Sequence, residues 1–258
     1  MDLGLSGRTA IICASSRGLG LACATALAKE RCAVILNGRD SDRLEAARAQ
    51  LAASGASVVA VAADVSTVPG RAALIAAAPE ADILVTNNGG PTPGRFADWD
   101  EAEWIAALEA NMLSAIMLIR SLVPGMRARR FGRIVNITSA MVKSPQLPMG
   151  LSTASRAGLT AFSKALSREV ARDNVTVNNL LPERIETDRL RGMIQRLASH
   201  RGIDLDVARA EMLAPVPAGR FGTPDEFAAA CAFLCSAHSG YVTGQNLQVD
   251  GGGYEGLI

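Results

Sequence analysis

The 258-residue sequence predicts a single α/β domain, with about seven strands in a doubly wound parallel sheet and helices on both faces. Three observations predict it. Short runs rich in Val, Ile and Leu alternate with longer amphipathic runs along the chain, the pattern of a parallel sheet buried on both faces. The first apolar run passes directly into a glycine-containing turn that opens a helix. No repeat, linker or low-complexity stretch divides the chain, so residues 1–258 read as one unit.

Each element follows in order. Thr9 to Ala14 is the first apolar run, and Leu19 to Lys29 is the helix after its turn. Ala33 to Asn37 is the second strand, followed by a helix from Asp42 to Ala53. Val58 to Ala62 is the third strand and ends near Asp64; the helix around Arg71 to Ala77 is short. Ile83 to Thr86 is the fourth strand. Glu101 to Arg127 reads as one long helix bent near Pro124, because proline removes a donor and crowds the preceding turn. Arg133 to Thr138 is the fifth strand, Ser152 to Arg172 a helix, and Thr176 to Leu180 the sixth strand. A polar helical stretch runs from Asp188 to Met212. Thr223 as N-cap, with proline at the first helical position, opens Pro224 to Cys235. Leu247 to Val249 closes the sheet.

Composition narrows the function classes. Apolar residues make up 49% and charged residues 20%, a globular balance. A net charge of +1 favours neither nucleic acid nor an anionic membrane as partner. The five cysteines lack zinc spacing and read as buried thiols of a reducing compartment. His200 and His238 stand apart from any ligand cluster, so no metal is expected. No basic region precedes an apolar stretch near Met1, and no apolar run reads as long enough to span a bilayer. A cytoplasmic chain is the expectation.

The turn Cys13-Ala14-Ser15-Ser16-Arg17-Gly18-Leu19-Gly20 carries the first chemistry. A glycine-rich strand-to-helix turn lets the backbone approach a pyrophosphate, and the helix N-terminus offers free N–H groups and a positive dipole end. After a first strand in a doubly wound pattern, such a turn is expected to bind a dinucleotide in a Rossmann-type site. The second strand ends Leu36-Asn37-Gly38-Arg39, which offers Asn37 as a cofactor contact but no carboxylate for ribose hydroxyls. Arg17 and Arg39 instead suit a 2′-phosphate, which selects NADP(H) and leaves NAD(H) as the lesser ligand. Asp64-Val65 follows the third strand, and the fourth runs into Thr86-Asn87-Asn88-Gly89-Gly90.

Further stretches are Gly132-Arg133-Ile134-Val135-Asn136-Ile137-Thr138-Ser139, Gly219-Arg220-Phe221-Gly222-Thr223-Pro224, and Thr243-Gly244-Gln245 running to Val249-Asp250-Gly251-Gly252. With them the sequence resembles the short-chain dehydrogenase/reductase family over essentially its whole length, in the manner of β-ketoacyl carrier-protein reductases. The resemblance implies a homo-oligomer, tetramer or dimer, acting on a small-molecule carbonyl or alcohol. It places Ala14 where the family has the first glycine of Gly-x-x-x-Gly-x-Gly. It assigns Asp64 and Val65 to the adenine, matches Asn87 and Gly89 to Asn-Asn-Ala-Gly, and adds Ile137, Pro182, Ile185 and Thr187 to the cofactor-binding residues. The small residues of the two long helices, Ala106, Ala107, Ala110, Ala115, Ala157, Gly158, Ala161 and Ala165, would allow close subunit packing.

The family's Asn-Ser-Tyr-Lys tetrad is only half present. Asn111 and Ser139 match. Ser152 and Arg156 stand at the Tyr and Lys positions, and the only tyrosines, Tyr241 and Tyr254, lie near the C-terminus. Serine is too weak an acid to replace a phenol, and arginine stays charged. Arg156 can still bind ribose hydroxyls, and Ser139 can still polarise a carbonyl. Glu183 replaces the glycine of Asn-x-x-x-Pro-Gly, free to pair with Arg156 or Arg184 or to act as an acid/base group; Lys143 is a further candidate donor. Residues 186–219 correspond to the substrate lid, with Leu190, Met193, Ile194, Leu197, Leu205, Val207 and Met212 at roughly helical spacing. Two functions follow: an atypical NADP(H)-dependent oxidoreductase, or a nucleotide-binding pseudoenzyme that senses or scaffolds.

Overall fold

The computed structural model describes residues 2–257. Seven strands form one parallel sheet: β1 (Thr9–Ile12), β2 (Ala33–Gly38), β3 (Val58–Ala62), β4 (Ile83–Thr86), β5 (Gly132–Ile137), β6 (Val175–Pro182) and β7 (Asn246–Val249). Their order is β3-β2-β1-β4-β5-β6-β7. The winding reverses between β1 and β4, where Ile11 registers with both Ile35 and Leu84. Such a switch point leaves a crevice beyond the strands' carboxyl ends.

Helices cover both faces. On one side α1 (Gly18–Lys29), α2 (Ser41–Ala52) and α9 (Pro224–Cys235) bury Leu27, Leu44, Leu51 and Phe227 against Ile12, Leu36 and Val85. On the other, α3 (Val68–Ala77), α5 (Ser114–Ala128) and α6 (Gly150–Val170) bury Leu74, Leu118, Leu122 and Val170 against Ile11, Leu84 and Ile134. All five cysteines are free and buried. A buried polar ladder ties the strand tips together. Thr86 Oγ1 donates to Asn136 Oδ1 (2.7 Å), Asn136 Nδ2 to Asn179 Oδ1 (3.1 Å), and Asn179 Nδ2 to Asn246 Oδ1 (2.8 Å).

Three expectations change. The stretch from Asp188 to Met212 is two helices, α7 (Asp188–Arg201) and α8 (Leu205–Leu213). Gly202 ends the first in a left-handed conformation (φ +62°), and Asp204 caps the second. The long helix is α4 (Glu101–Leu108) joined to α5 by a π-turn at Glu109–Leu113, while Pro124 lies inside α5. That combined run of 28 residues, with mean hydropathy 1.5, is long and apolar enough to cross a membrane, against the reading of the sequence. Part of it packs on the sheet: Leu118, Ile119, Leu122 and Met126 are buried there, while Ile105 and Leu113 stay exposed.

Candidate active site

The phosphate turn is built by Asn37 and Ser15. Asn37 Oδ1 accepts from Ala14 N (3.3 Å), while its Nδ2 donates to Val61 O (3.2 Å) and Ala63 O (2.9 Å). Ser15 Oγ donates to Ile12 O and accepts from Asn37 N. Asn37 is thus a brace that fixes the turn, and its polar atoms do not point into the crevice. Gly20 is obligatory: a Cβ there would lie 2.3 Å from Ala14 O. Gly18 sits at φ +57°, where an added Cβ would meet nothing nearer than Thr187 Cγ2 at 4.0 Å, and Gly89 faces open space. Ser16 lines the turn against Gly38, and Leu19 packs toward the core.

Ala14 holds φ +47°, a conformation in which an L-residue with a Cβ is strained by about 1–2 kcal/mol. Ala14→Gly removes that strain, offset by a looser unfolded chain at about 0.4–1 kcal/mol. The variant is expected to melt about 2 °C higher by calorimetry. A lower melting temperature would mean that the methyl group packs better than the conformation costs.

Arg17 and Arg39, read from the sequence as partners of a 2′-phosphate, are both exposed. Arg17 Nη1 lies 3.7 Å from Asp188 and Arg39 Nη1 3.9 Å from Asp64. Asp64 accepts from Ser66, which together with Arg39 lowers its pKa. Val65 is buried beside it.

At the other end, α6 places Ser152 and Arg156 one turn apart on the same face. Arg156 donates to Thr138 O, to Asn88 O (3.5 Å) and to Asn111 Oδ1 (3.4 Å). Asn111 lies in the π-turn, whose Ala110 O accepts from both Asn88 Nδ2 (2.8 Å) and Ser114 Oγ (2.7 Å). Burial, then the neighbouring Arg189, pull the Arg156 pKa down to about 10, so it stays cationic at neutrality. A cavity of about 10 Å³, room for roughly one water, is bordered by Asn87, Asn111, Ser114, Ile137 and Arg156. Ser139 and Ser152 are both buried nearby; Ser139 Oγ accepts from Met141 N (3.2 Å).

Glu183 stands apart from this group. It pairs with Arg184 (3.5 Å), and both face a separate cavity of about 110 Å³ with Asp250 and Arg220. Burial raises its pKa, against the pull of Arg184 and with help from Asp250. Pro182 ends β6 beside Val249, Ile185 bridges to Gly222, and Thr187 opens α7. One tyrosine proves less remote than its position in sequence: Lys143 Nζ lies 5.0 Å from the Tyr254 ring centroid. The Tyr254 ring also packs on Gly256, whose Cβ would lie 2.3 Å from both Cζ and the hydroxyl.

Sequence reasoning missed Arg189 and Gly90. Arg189, in the first turn of α7, donates to Gly90 O (3.3 Å), and a Cβ on Gly90 would meet Arg189 Nη2 at 3.0 Å and Arg156 Nη2 at 3.2 Å. The available signal was a cation in a first helical turn, where the dipole disfavours it.

Known proteins of similar sequence and fold are reductases. The family model described as "Enoyl-(Acyl carrier protein) reductase" matches residues 13–254. The 3-oxoacyl-[acyl-carrier-protein] reductase FabG of Escherichia coli (strain K12) is 34% identical over 253 residues, covering 98% of this chain and 99% of that protein. The NADPH-dependent reductase BacG of Bacillus subtilis (strain 168) is 30% identical, covering 98% of this chain and 100% of its own length. The L-sorbose reductase of Gluconobacter frateurii, solved with NADPH and L-sorbose, superimposes with a TM-score of 0.95 at 35% identity, covering 100% of both chains.

Proposed function

The chain belongs to the short-chain dehydrogenase/reductase family of oxidoreductases, and on that premise we propose that it is an atypical NADP(H)-dependent reductase of a small carbonyl substrate. The observation that carries the reading is the Arg156–Asn111 contact, set at the strand tips beside an open glycine cradle. The residues present fit the dinucleotide. The open faces of Gly18 and Gly89 leave a path from the phosphate turn to Arg156, and the first N–H groups of α1 have no side-chain cap. Arg17 and Arg39 would hold a 2′-phosphate, with Asp64 and Val65 at the adenine and Ile137, Pro182, Ile185 and Thr187 around the nicotinamide. Bound NADP(H) supplies or accepts the hydride.

The chain's own residues do the rest. Arg156, at the family's Lys position, holds the nicotinamide ribose and adds fixed positive charge. Ser139 and Ser152, at the Ser and Tyr positions, polarise the substrate oxygen. Serine stands at the family's Tyr position and is too weak an acid to donate, so the proton comes from water, for which the cavity beside Asn111 and Arg156 has room. Glu183 faces another cavity and is not the donor. Residues 186–219, α7 and α8, form the lid; Leu190 and Ile194 anchor it while Leu205 and Val207 remain exposed. The chain assembles as a homo-oligomer through α4–α5 and α6, in a reducing compartment suited to its five thiols. The pseudoenzyme alternative lacks the support that the kept Asn111 and the reductase relatives give to turnover.

Cofactor choice tests the adenosine end. Arg39→Asp would set a carboxylate beside Asp64 and remove one phosphate partner. NADPH binding, followed by fluorescence, is expected to weaken about a hundredfold and NADH to become the preferred ligand. Equal affinity of the native protein for both dinucleotides would contradict the assignment.

A further inference from the structure

The nicotinamide end of the crevice carries more positive charge than a neutral carbonyl requires. Arg156 and Arg189 both approach Gly90, their Nη2 atoms 3.2 and 3.0 Å from where its Cβ would stand. Neither has a carboxylate partner among the described residues. Arg156 donates only to Thr138 O, Asn88 O and Asn111 Oδ1, and Arg189 only to Gly90 O. The acids of the adjoining segment are engaged elsewhere: Asp188 with Arg17 and Arg191, Glu183 with Arg184, Glu186 with Arg209. Arg196, two turns along α7, adds a third cation without an ion pair among the described residues, close enough to act on Arg189. Two like charges this near each other repel, and an anion between them relieves the repulsion. Arg189 also occupies a first helical turn, where a cation is disfavoured unless an anion joins it.

We propose that Arg189, in the positive field of Arg156, binds the carboxylate of the substrate, so that the protein reduces oxo acids in preference to neutral ketones. The proposal rests on the reductase reading and names its substrate class. Gly90 lets both guanidinium groups come this close: a Cβ there would crowd the two Nη2 atoms at 3.0 and 3.2 Å. The first residues of α7 separate two ligand ends. Thr187 and Asp188 turn to Gly18 and Arg17 at the phosphate turn, whereas Arg189 turns away to the loop after β4. That geometry favours a substrate carboxylate over a cofactor phosphate as the anion.

The test pairs binding with turnover. Acetoacetate and pyruvate, each against its methyl ester, would be titrated calorimetrically into NADP⁺-loaded native protein and into Arg189→Gln, and kcat/KM measured with NADPH. The native protein is expected to favour acid over ester by about ten- to a hundredfold in both assays, the strength of a charge-assisted pair. In Arg189→Gln that ratio is expected to fall to near unity with NADPH affinity unchanged. Equal handling of acid and ester by the native protein would overturn the proposal. So would an Arg189→Gln variant that lost NADPH affinity and kept the acid:ester ratio, which would assign Arg189 to a cofactor phosphate. Carboxylate binding without reduction of any carbonyl would instead sustain the anion site and count against the reductase reading.

Discussion

Arg156→Met is expected to lower kcat by about a hundred- to a thousandfold while the protein still folds. The guanidinium is the one fixed charge at the site that also bonds the retained Asn111. Methionine keeps much of the volume and removes the charge and every donor. Three acceptors, Thr138 O, Asn88 O and Asn111 Oδ1, then lose their partner, at about 1–3 kcal/mol for each that stays dry. The adjoining cavity admits water to offset part of that loss, and relief of repulsion with Arg189 offsets more. Arg156→Lys keeps the charge but one ammonium cannot span three acceptors, so a smaller loss of about tenfold is expected. Because Arg156 titrates at about 10, its charge is fully present through neutrality, and activity should decline only as pH rises through that value. Glu183→Gln in the same assay is expected to move kcat less than about threefold; a hundredfold loss would make Glu183 the acid and displace water from the scheme.

Gly20→Ala is expected to lower the melting temperature by several degrees and to weaken NADPH binding at least about a hundredfold. The new Cβ would lie 2.3 Å from Ala14 O and 2.9 Å from Ala14 C and Ser15 Cα. All three are backbone atoms, so no side chain can rotate away. The turn must open, breaking the Ala14–Asn37 and Ser15–Asn37 bonds that tie it to β2. Overpacking of this kind costs about 1–3 kcal/mol. Gly18→Ala is the contrast. Its Cβ has room, so only the positive φ is penalised, and stability should fall less. If Gly20→Ala bound NADPH like the native protein, the phosphate-turn assignment would fail.

The sheet was legible because strand-forming runs are short, apolar and separated by amphipathic helices, a pattern that burial on both faces imposes directly. The division of residues 188–213 into two helices was legible in part. Gly202 followed by Asp204 is a stop and a start, but the polar composition on either side reads as continuous. The π-turn left no trace, since Glu109–Leu113 has the residues of any helix and differs only in its hydrogen bonding. Asn37 shows the limit at the site. Its position at a strand tip suggested ligand contact, yet its amide is spent on Ala14, Val61 and Ala63, a use that only three-dimensional register reveals. Arg189 and Gly90 lie 99 residues apart, and Tyr254 reaches Lys143 from the chain's far end. Spacing within a motif carries no information about such meetings.

Hydride transfer is expected to survive without the phenol. The most direct test is to incubate the native protein with NADPH deuterated at the transferred position and a panel of ketones, oxo acids and acyl thioesters, then weigh the product alcohols. Deuterium at the former carbonyl carbon over many turnovers is the predicted result, with Ser152→Tyr combined with Arg156→Lys transferring faster. Tight NADPH binding with no deuterium in any product, from the native protein or the double variant, would contradict the reductase assignment and leave a nucleotide-binding protein in its place.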